Sequence, residues 1–391
     1  MPRNKPIALL SVSHACVDVY QGAVPALVPF LVAERAYGYA AASGIVLAAS
    51  LLSSLVQPLF GVLTDRWAMP WLLPVSTVVA GAGIALSGVS DSYPLTFAAV
   101  ALSGVGVAAY HPESARTARA ASRGGHAAMS WFSLGGNLGF AAAPLMVTAI
   151  IAAGGLTASP ALVVPAVLGS LLCVFALRAQ RSPSAGPAQA APAPGAGDRA
   201  AFLRLSLAVI CRSVVFVGLS SFIALYAQQR TGGDATAGGA ALFVLFIGGA
   251  VGTVLGGRLA AHWGRVRCVR WAYAATIPAV TGVVFVPGPA FYVFVALTSA
   301  ALYIPFSLQI TLGQDYLPTR VGTASGVTLG LTISIGGLAA PLIGVVADAT
   351  SLRSALTPLI ALPALAWLIS RTLLEPALPD PAGRYGVMAR R

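Results

Sequence analysis

Apolar residues run along this chain in long stretches, separated by short clusters rich in arginine, glycine and proline. The stretches cover residues 7–33, 40–64, 71–90, 94–114, 126–152, 158–178, 202–229, 236–261, 268–287, 290–312, 320–347 and 352–372. A helix needs about 20 mostly apolar residues to cross the hydrocarbon core of a bilayer. The pattern therefore predicts an all-α membrane protein with twelve spans. The first run is too long for the apolar core of a signal peptide, and no cleavage pattern follows it. Two runs carry a charge deep inside them: Asp18, with His14 one turn away, in the first, and Arg212 in the seventh.

Composition agrees with this picture. The chain is 57% hydrophobic and 9% charged, with a mean hydropathy of +0.84, whereas soluble domains carry about 25% charged residues. The net charge of +12 points to nucleic acid only until its placement is followed. With twelve alternating spans, 19 of the 23 Lys and Arg residues fall on the side that holds both termini. Only Arg35, Arg230 and Arg353 fall on the other side, and Arg212 lies within a span. Positive loops stay cytoplasmic, so a multi-pass protein of the inner membrane with both termini cytoplasmic is expected, and no nucleic-acid partner. Cys16, Cys173, Cys211 and Cys268 lie in or beside apolar runs, spaced for neither a disulfide framework nor a metal site. They are read as small core residues. No nucleophile–base constellation or cofactor loop is present, so neither an enzyme nor a bound cofactor is expected.

The Pro-, Ala- and Gly-rich segment 182–198 divides the spans six and six and is read as a linker. The expected organisation is a first half over 1–180, a linker over 181–200, a second half over 201–375 and a basic tail over 376–391. The halves repeat one another. Gly61-Val-Leu-Thr-Asp65-Arg66-Trp67 after span 2 aligns with Gly257-Arg-Leu-Ala-Ala261-His262-Trp263 after span 8, at an offset of 196. Leu134-Gly-Gly-Asn137-Leu-Gly139 through Pro144 in span 5 has a counterpart in Gly336 through Pro341 of span 11. Two six-helix halves in parallel repeat form a transporter architecture, with the substrate site between them near the midplane.

The loop after span 2 resembles the signature of the major facilitator superfamily, through Gly61, Leu63, Asp65 and Arg66. It departs at Ala68-Met69-Pro70, and the second copy has Ala261 where the acid belongs. The resemblance implies that Gly61, Asp65 and Arg66 form a conformational latch against the start of span 11. A carboxylate there would face the positive end of a helix; a solvated loop acid is the alternative. Gly135, Gly139 and Pro144, with Gly336 and Pro341, resemble the glycine–proline motif of superfamily exporters. Small residues at this spacing allow close helix packing.

Span 4 ends in Tyr110-His111-Pro112-Glu113-Ser114-Ala-Arg116, followed later by the Gly135-Gly136-Asn137 run. Together these resemble the fosmidomycin resistance subfamily, and the likeness extends over the whole chain. It implies a proton-driven exporter, with a phosphonate antibiotic as the family's substrate. Taken residue by residue, Pro112 removes a backbone donor and loosens the helix end; His111, about 17 residues into a span that enters from outside, is deep and near the cytoplasmic mouth. Glu113 and Arg116 are i, i+3 neighbours that can pair. His111 and Glu113 are thus candidates for proton coupling, with a helix-end histidine and an interfacial ion pair as the plain alternatives.

Asp18 lies about 16 Å into span 1 at 1.5 Å per residue. A charge at that depth costs at least about 2.5–3.5 kcal/mol, a cost more readily accepted where the residue lines a wet cavity or carries function. A carboxylate and an imidazole at i, i+4 can share or relay a proton, so Asp18 and His14 are the leading proton-coupling candidates; a static buried pair is the alternative. The repeat offset maps Arg212 onto Cys16, at nearly the depth of Asp18. An arginine fork binds carboxylates and phosphonates, so Arg212 is the candidate substrate anchor, and a structural pair with Asp18 is its alternative. Asn137, Tyr20, Gln21, Trp131, Ser133, Tyr303 and Gln309 are candidates to complete the lining. The expected function is proton antiport of a small anionic or drug-like compound by a monomer. The competitors are proton-coupled uptake of a sugar or organic acid, and a non-transporting sensor or lipid scramblase on the same fold.

Overall fold

Each predicted run carries helix in the computed structural model, which describes residues 5–122, 126–180, 197–318, 324, 327–328 and 332–376. The first half contains α1 (Lys5–Arg35), α2 (Tyr39–Arg66), α3 (Leu72–Leu86), α4 (Tyr93–Ser122), α5 (His126–Gly154) and α6 (Val164–Ala179), the last entered through a 3-10 segment, Leu156–Val163. The second contains α7 (Arg199–Thr231), α8 (Ala235–Trp263), α9 (Arg265–Phe285), α10 (Ala290–Tyr303), α11 (Phe306–Tyr316), α12 (Thr332–Ala349), α13 (Leu352–Leu356) and α14 (Ala361–Ser370). Ten helical segments are long and apolar enough to cross a membrane, and two shorter apolar ones, Leu72–Leu86 and Ile335–Ala349, complete the expected twelve. The chain is a multi-pass membrane protein.

The breaks have local causes. Span 10 divides into α10 and α11 at Ile304–Pro305, because proline cannot donate to the ladder. Span 12 passes through a 3-10 turn, Thr357–Ile360, that contains Pro358. One boundary needs correcting: α4 does not stop near Pro112 but runs on to Ser122 with the proline inside it. His111 therefore lies eleven residues before the helix end. Asp198, Asp234 and Ser351 cap α7, α8 and α13, each accepting from backbone N–H groups of the first turn, as N-cap residues do. The N–H groups of Thr236 and Ala237 hold the exposed Asp234 carboxyl below the ordinary carboxylate range.

Two helices form the centre. In α1, 83% of the most apolar window is buried, and in α7 78%, against 28% for Leu156–Ala179 at the periphery. The peripheral helices present Val167, Leu171, Val254 and Leu342 outward, as helices facing lipid must. Glycines set the closest approaches. A Cβ on Gly135 would stand 2.0 Å from the Ser11 carbonyl oxygen, and one on Gly139 2.0 Å from that of Ala15, so α5 lies backbone to backbone on α1. In α12, Gly336 meets Ser213 of α7, while Gly337 and Gly344 meet Ser50 and Ala40 of α2. That helix thus wedges between the halves. Pro144 and Pro341 lie inside α5 and α12.

On the face where α1 hands over to α2, hereafter the far face, the N-cap position of α2 is Gly38, which has no side chain to cap with. Asp348 of α12 supplies the cap from the other half: its carboxylate accepts from Tyr39 N at 2.7 Å and Ala40 N at 3.0 Å. On the opposite face, Arg265 grips Asp315 at 2.6 Å and Glu375 at 2.7 Å. Gly61 and Arg66 end α2, with Arg66 exposed. The Asp65 side chain, the start of span 11, the linker over 181–196 and the tail from 377 lie outside the described residues.

Candidate functional site

The inner face of the first half gathers three titratable side chains from two helices. On α1, one turn brings His14 Nε2 to 3.3 Å from Asp18 Oδ2. On α4, the continuation past Pro112 carries His111 Nε2 to 3.2 Å from Asp18 Oδ1. The carboxylate thus lies between two imidazoles, and Gln21 Nε2 donates to Oδ1 at 3.1 Å. Asp18 and His14 are each more than nine-tenths buried.

The far sides of both rings decide their protonation. His14 Nδ1 lies 2.9 Å from the Phe132 carbonyl oxygen, and His111 Nδ1 lies 2.8 Å from that of Val107. A carbonyl oxygen only accepts, so each Nδ1 must carry the hydrogen. Each neutral ring then turns a bare Nε2 lone pair toward the carboxylate. Lone pairs facing lone pairs at this range repel, so a proton or another cation placed between a ring and the carboxylate would relieve the contact. His14 Nε2 has no hydrogen bond of its own: it approaches Oδ2 at ion-pair distance but off the hydrogen-bonding direction.

The cluster exists because α5 has no side chain at 136. A Cβ on Gly136 would lie 2.5 Å from Asp18 Oδ2, 2.7 Å from His14 Cε1 and 2.8 Å from His14 Nε2. Phe132, one turn away, stacks on His14 with ring centres 4.2 Å apart. Behind the cluster, Ser13 Oγ meets Tyr110 Oη at 3.1 Å and Cys173 Sγ at 2.8 Å.

Arg212 is 6% exposed on α7. Its guanidinium lies 5.0 Å from the Phe306 ring centre and 6.0 Å from that of Tyr303. Its Nε is buried without a hydrogen-bond partner. The Asp18–Arg212 pair offered as an alternative is not formed; among the described residues, the ion-pair partners of Asp18 are the two histidines. Gln309 is buried nearby, donating to Tyr273 at 2.7 Å with its Oε1 unpartnered. An aromatic path leads from Arg212 back to the first half: Tyr303 to Phe216 at 5.1 Å, Phe216 to Phe246 at 6.3 Å, and Phe246 to Phe140 of α5 at 4.3 Å.

Other candidates fall elsewhere. Glu113 is fully buried and grips the Arg116 guanidinium through both oxygens; it is not part of the Asp18 cluster. Tyr20 donates to the Leu162 carbonyl at 3.0 Å, a packing contact inside the first half. Trp131, Ser133 and Asn137 are exposed on α5. Gly136, Phe306, Tyr273 and Asp348 were not singled out from sequence. Only Gly136 had a signal there, since it stands between two residues of the glycine motif.

A sequence profile of the Major Facilitator Superfamily matches residues 10–373. The chain belongs to the major facilitator superfamily. Members of this superfamily are transporters of small molecules, not enzymes. The chain is 30% identical over 357 residues to the fosmidomycin resistance protein of Escherichia coli strain K12, covering 89% of this chain and 87% of that one. It is 26% identical over 369 residues to the major facilitator transporter YfnC of Bacillus subtilis strain 168, covering 92% and 90%. A bacterial homologue of the human lysosomal transporter Spinster has the same fold, with a TM-score of 0.76 at 16% identity over 97% of this transporter and 100% of that chain.

The glycine at 136 gives this transporter a testable weak point. Gly136→Ala adds one methyl group where Asp18 and His14 now stand, so α5 must retreat or the cluster must open. Transport activity should fall to background while the protein remains monodisperse. Wild-type transport by this variant would show that the cluster's geometry is not needed.

Proposed function

We propose that this protein is a proton-coupled exporter of the inner membrane, exchanging protons for a small anionic or drug-like compound such as a phosphonate antibiotic. It works as a monomer, and its halves, residues 1–180 and 201–375, rock about the central site. The observation that carries this reading is the caged carboxylate. Asp18 lies between two imidazoles whose tautomers are set by backbone carbonyls, so gain or loss of a proton changes the charge of the whole cluster. Arg212, on the repeat-related helix, offers an unpaired guanidinium to an anion. The kinship with a fosmidomycin resistance protein supports a phosphonate, and the one-sided arginine distribution supports cytoplasmic termini.

The proposed cycle links the two charges. Protons reach the cluster from the far, extracellular side, and a substrate anion reaches Arg212 from the cytoplasm. The sign of the coupling follows from antiport: protonation and substrate binding favour opposite openings of the same cavity. The direct test uses everted vesicles energised with an inward-acid gradient. Adding a phosphonate such as fosmidomycin should dissipate the gradient and drive its accumulation. Accumulation unaffected by collapse of the gradient would remove proton coupling, and no response to any organic anion would remove the substrate class.

The trans cap at Asp348 would hold the extracellular side closed. Loss of an N-cap costs about 0.5–2 kcal/mol, so Asp348→Ala should raise the outward-open population relative to the inward-open one by roughly 2- to 30-fold. Spin-label distances between the far-face ends of α2 and α12 report this directly. An unchanged distance distribution would reduce Asp348 to a surface residue.

A further inference from the structure

The Asp18 cluster has a second capacity that its role in proton coupling does not require. We propose that His14, Asp18 and His111 form a binding site for a divalent transition-metal ion of the zinc type. The three residues each offer a ligand atom, and these atoms lie within 4.8 Å of one another. The nitrogen-to-oxygen distances are 3.3 and 3.2 Å. Zinc holds nitrogen and oxygen donors at about 2.0–2.2 Å, and two such donors at the tetrahedral angle stand about 3.3 Å apart. Each imidazole thus already stands at that distance from one of the two carboxylate oxygens.

Three further observations point to a cation. Both rings have Nδ1 tied to a backbone carbonyl, which leaves Nε2 as the donor; that is the supporting arrangement metal-binding histidines adopt. His14 Nε2 is buried, without a hydrogen-bond partner, and faces the carboxylate. The space over the carboxylate is kept open by Gly136, where a Cβ would intrude to 2.5 Å. Two imidazoles and one carboxylate suit zinc and the neighbouring first-row ions better than magnesium or calcium, which prefer all-oxygen shells. Three protein ligands leave a position for water.

Charge favours the same ion. With neutral rings the cluster carries one negative charge, and a divalent ion turns this to one positive. The other groups facing it are Gln21 on α1, Tyr110 on α4, and Ser13 with Cys173 of α6 behind; α5 contributes Gly136 and the Phe132 carbonyl. Among the described residues no lysine or arginine is at ion-pair distance from Asp18. The ion would occupy the space of the coupling proton, so its binding releases any proton held there. Zinc would then act as an inhibitor competitive with protons. That consequence rests on the proposed function; the binding itself does not.

The test starts with purified full-length protein titrated with Co2+, followed by displacement with Zn2+. One equivalent should produce the ligand-field absorption of a nitrogen- and oxygen-bound site. His14→Ala and His111→Ala should each weaken binding by more than roughly 100-fold, beyond the cost of losing a supporting partner alone. His126→Ala and His262→Ala, the remaining histidines, should bind as the wild type does. Each variant is checked for monodispersity, and the double variant His14→Ala/His111→Ala guards against a site rebuilt from one ring. Absence of a cobalt spectrum in the wild type, or binding that survives the double variant, overturns the site. In the transport arm, Zn2+ should inhibit exchange in vesicles less strongly as pH falls. A metal site without any proton-driven transport would overturn the proposed function and leave this inference standing.

Discussion

Asp18→Asn abolishes proton-driven transport and leaves substrate exchange between two equal pools intact. The reason lies in what asparagine can do in the same cage. Its amide keeps the size of the carboxyl group and can donate to one of the two bare Nε2 atoms, which lie 3.3 and 3.2 Å from the present oxygens. The buried cluster therefore stays hydrogen-bonded without needing an added charge, and the protein folds. What is lost is the charge change: an amide neither takes up nor releases a proton at accessible pH. Export against a gradient should drop to the level of empty vesicles, while counterflow continues. The measurement is accumulation of labelled substrate in everted vesicles with and without a proton gradient. Full gradient-driven accumulation by the variant would take Asp18 out of the coupling step.

The second large effect concerns Arg212. Its guanidinium is buried against Phe306 and Tyr303, with no ion-pair partner among the described residues. A buried unpaired arginine is costly, and an anionic substrate removes that cost by pairing with it. Arg212→Ala should weaken binding of a phosphonate or carboxylate substrate by about 1.5–3 kcal/mol, the scale of a hydrogen bond to a charged group. That corresponds to roughly 10- to 150-fold in Kd. Arg212→Lys should fall between, because it keeps the charge and loses the fork. Titration of the purified variants, each checked by size exclusion, decides the point. Wild-type affinity in Arg212→Ala would make the residue a packing element beneath its two aromatic rings.

The helices were legible because lipid imposes a length on every span, and length can be counted. The burial of Asp18 and Arg212 could be expected from their places within apolar runs. The partnership of Asp18 with His14 was also open to reading, since i, i+4 residues on a helix always meet. His111 was harder. Sequence marked it as a proton-coupling candidate, deep in span 4 and near the cytoplasmic mouth, but ended that span near residue 114, just past Pro112. A proline inside a membrane helix need not end it, since neighbouring helices can satisfy the freed groups. Once α4 runs to Ser122, His111 falls level with Asp18. Gly136 shows a different limit: a glycine between two packing glycines carries no mark that its missing Cβ, and not its neighbours' close approach, makes room for a carboxylate. The aromatic bed of Arg212 was half visible, through Tyr303, while Phe306 follows a proline break and had no pattern to announce it.

The Asp348 cap has a consequence for how this protein tolerates change. The carboxylate holds two main-chain N–H groups, those of Tyr39 and Ala40, and every residue except proline provides one. The hydrogen bonds on the receiving side of this closure are therefore written in the backbone and survive a change of side chain, while the giving side depends on a single acidic residue. In variants at 39 and 40 other than proline the two cap hydrogen bonds should persist, whereas every neutral substitution at 348 should remove them. A side chain at 38 would meet the carboxylate itself: a Cβ there would stand 3.0 Å from it, so Asp348 would have to give by a few tenths of an ångström.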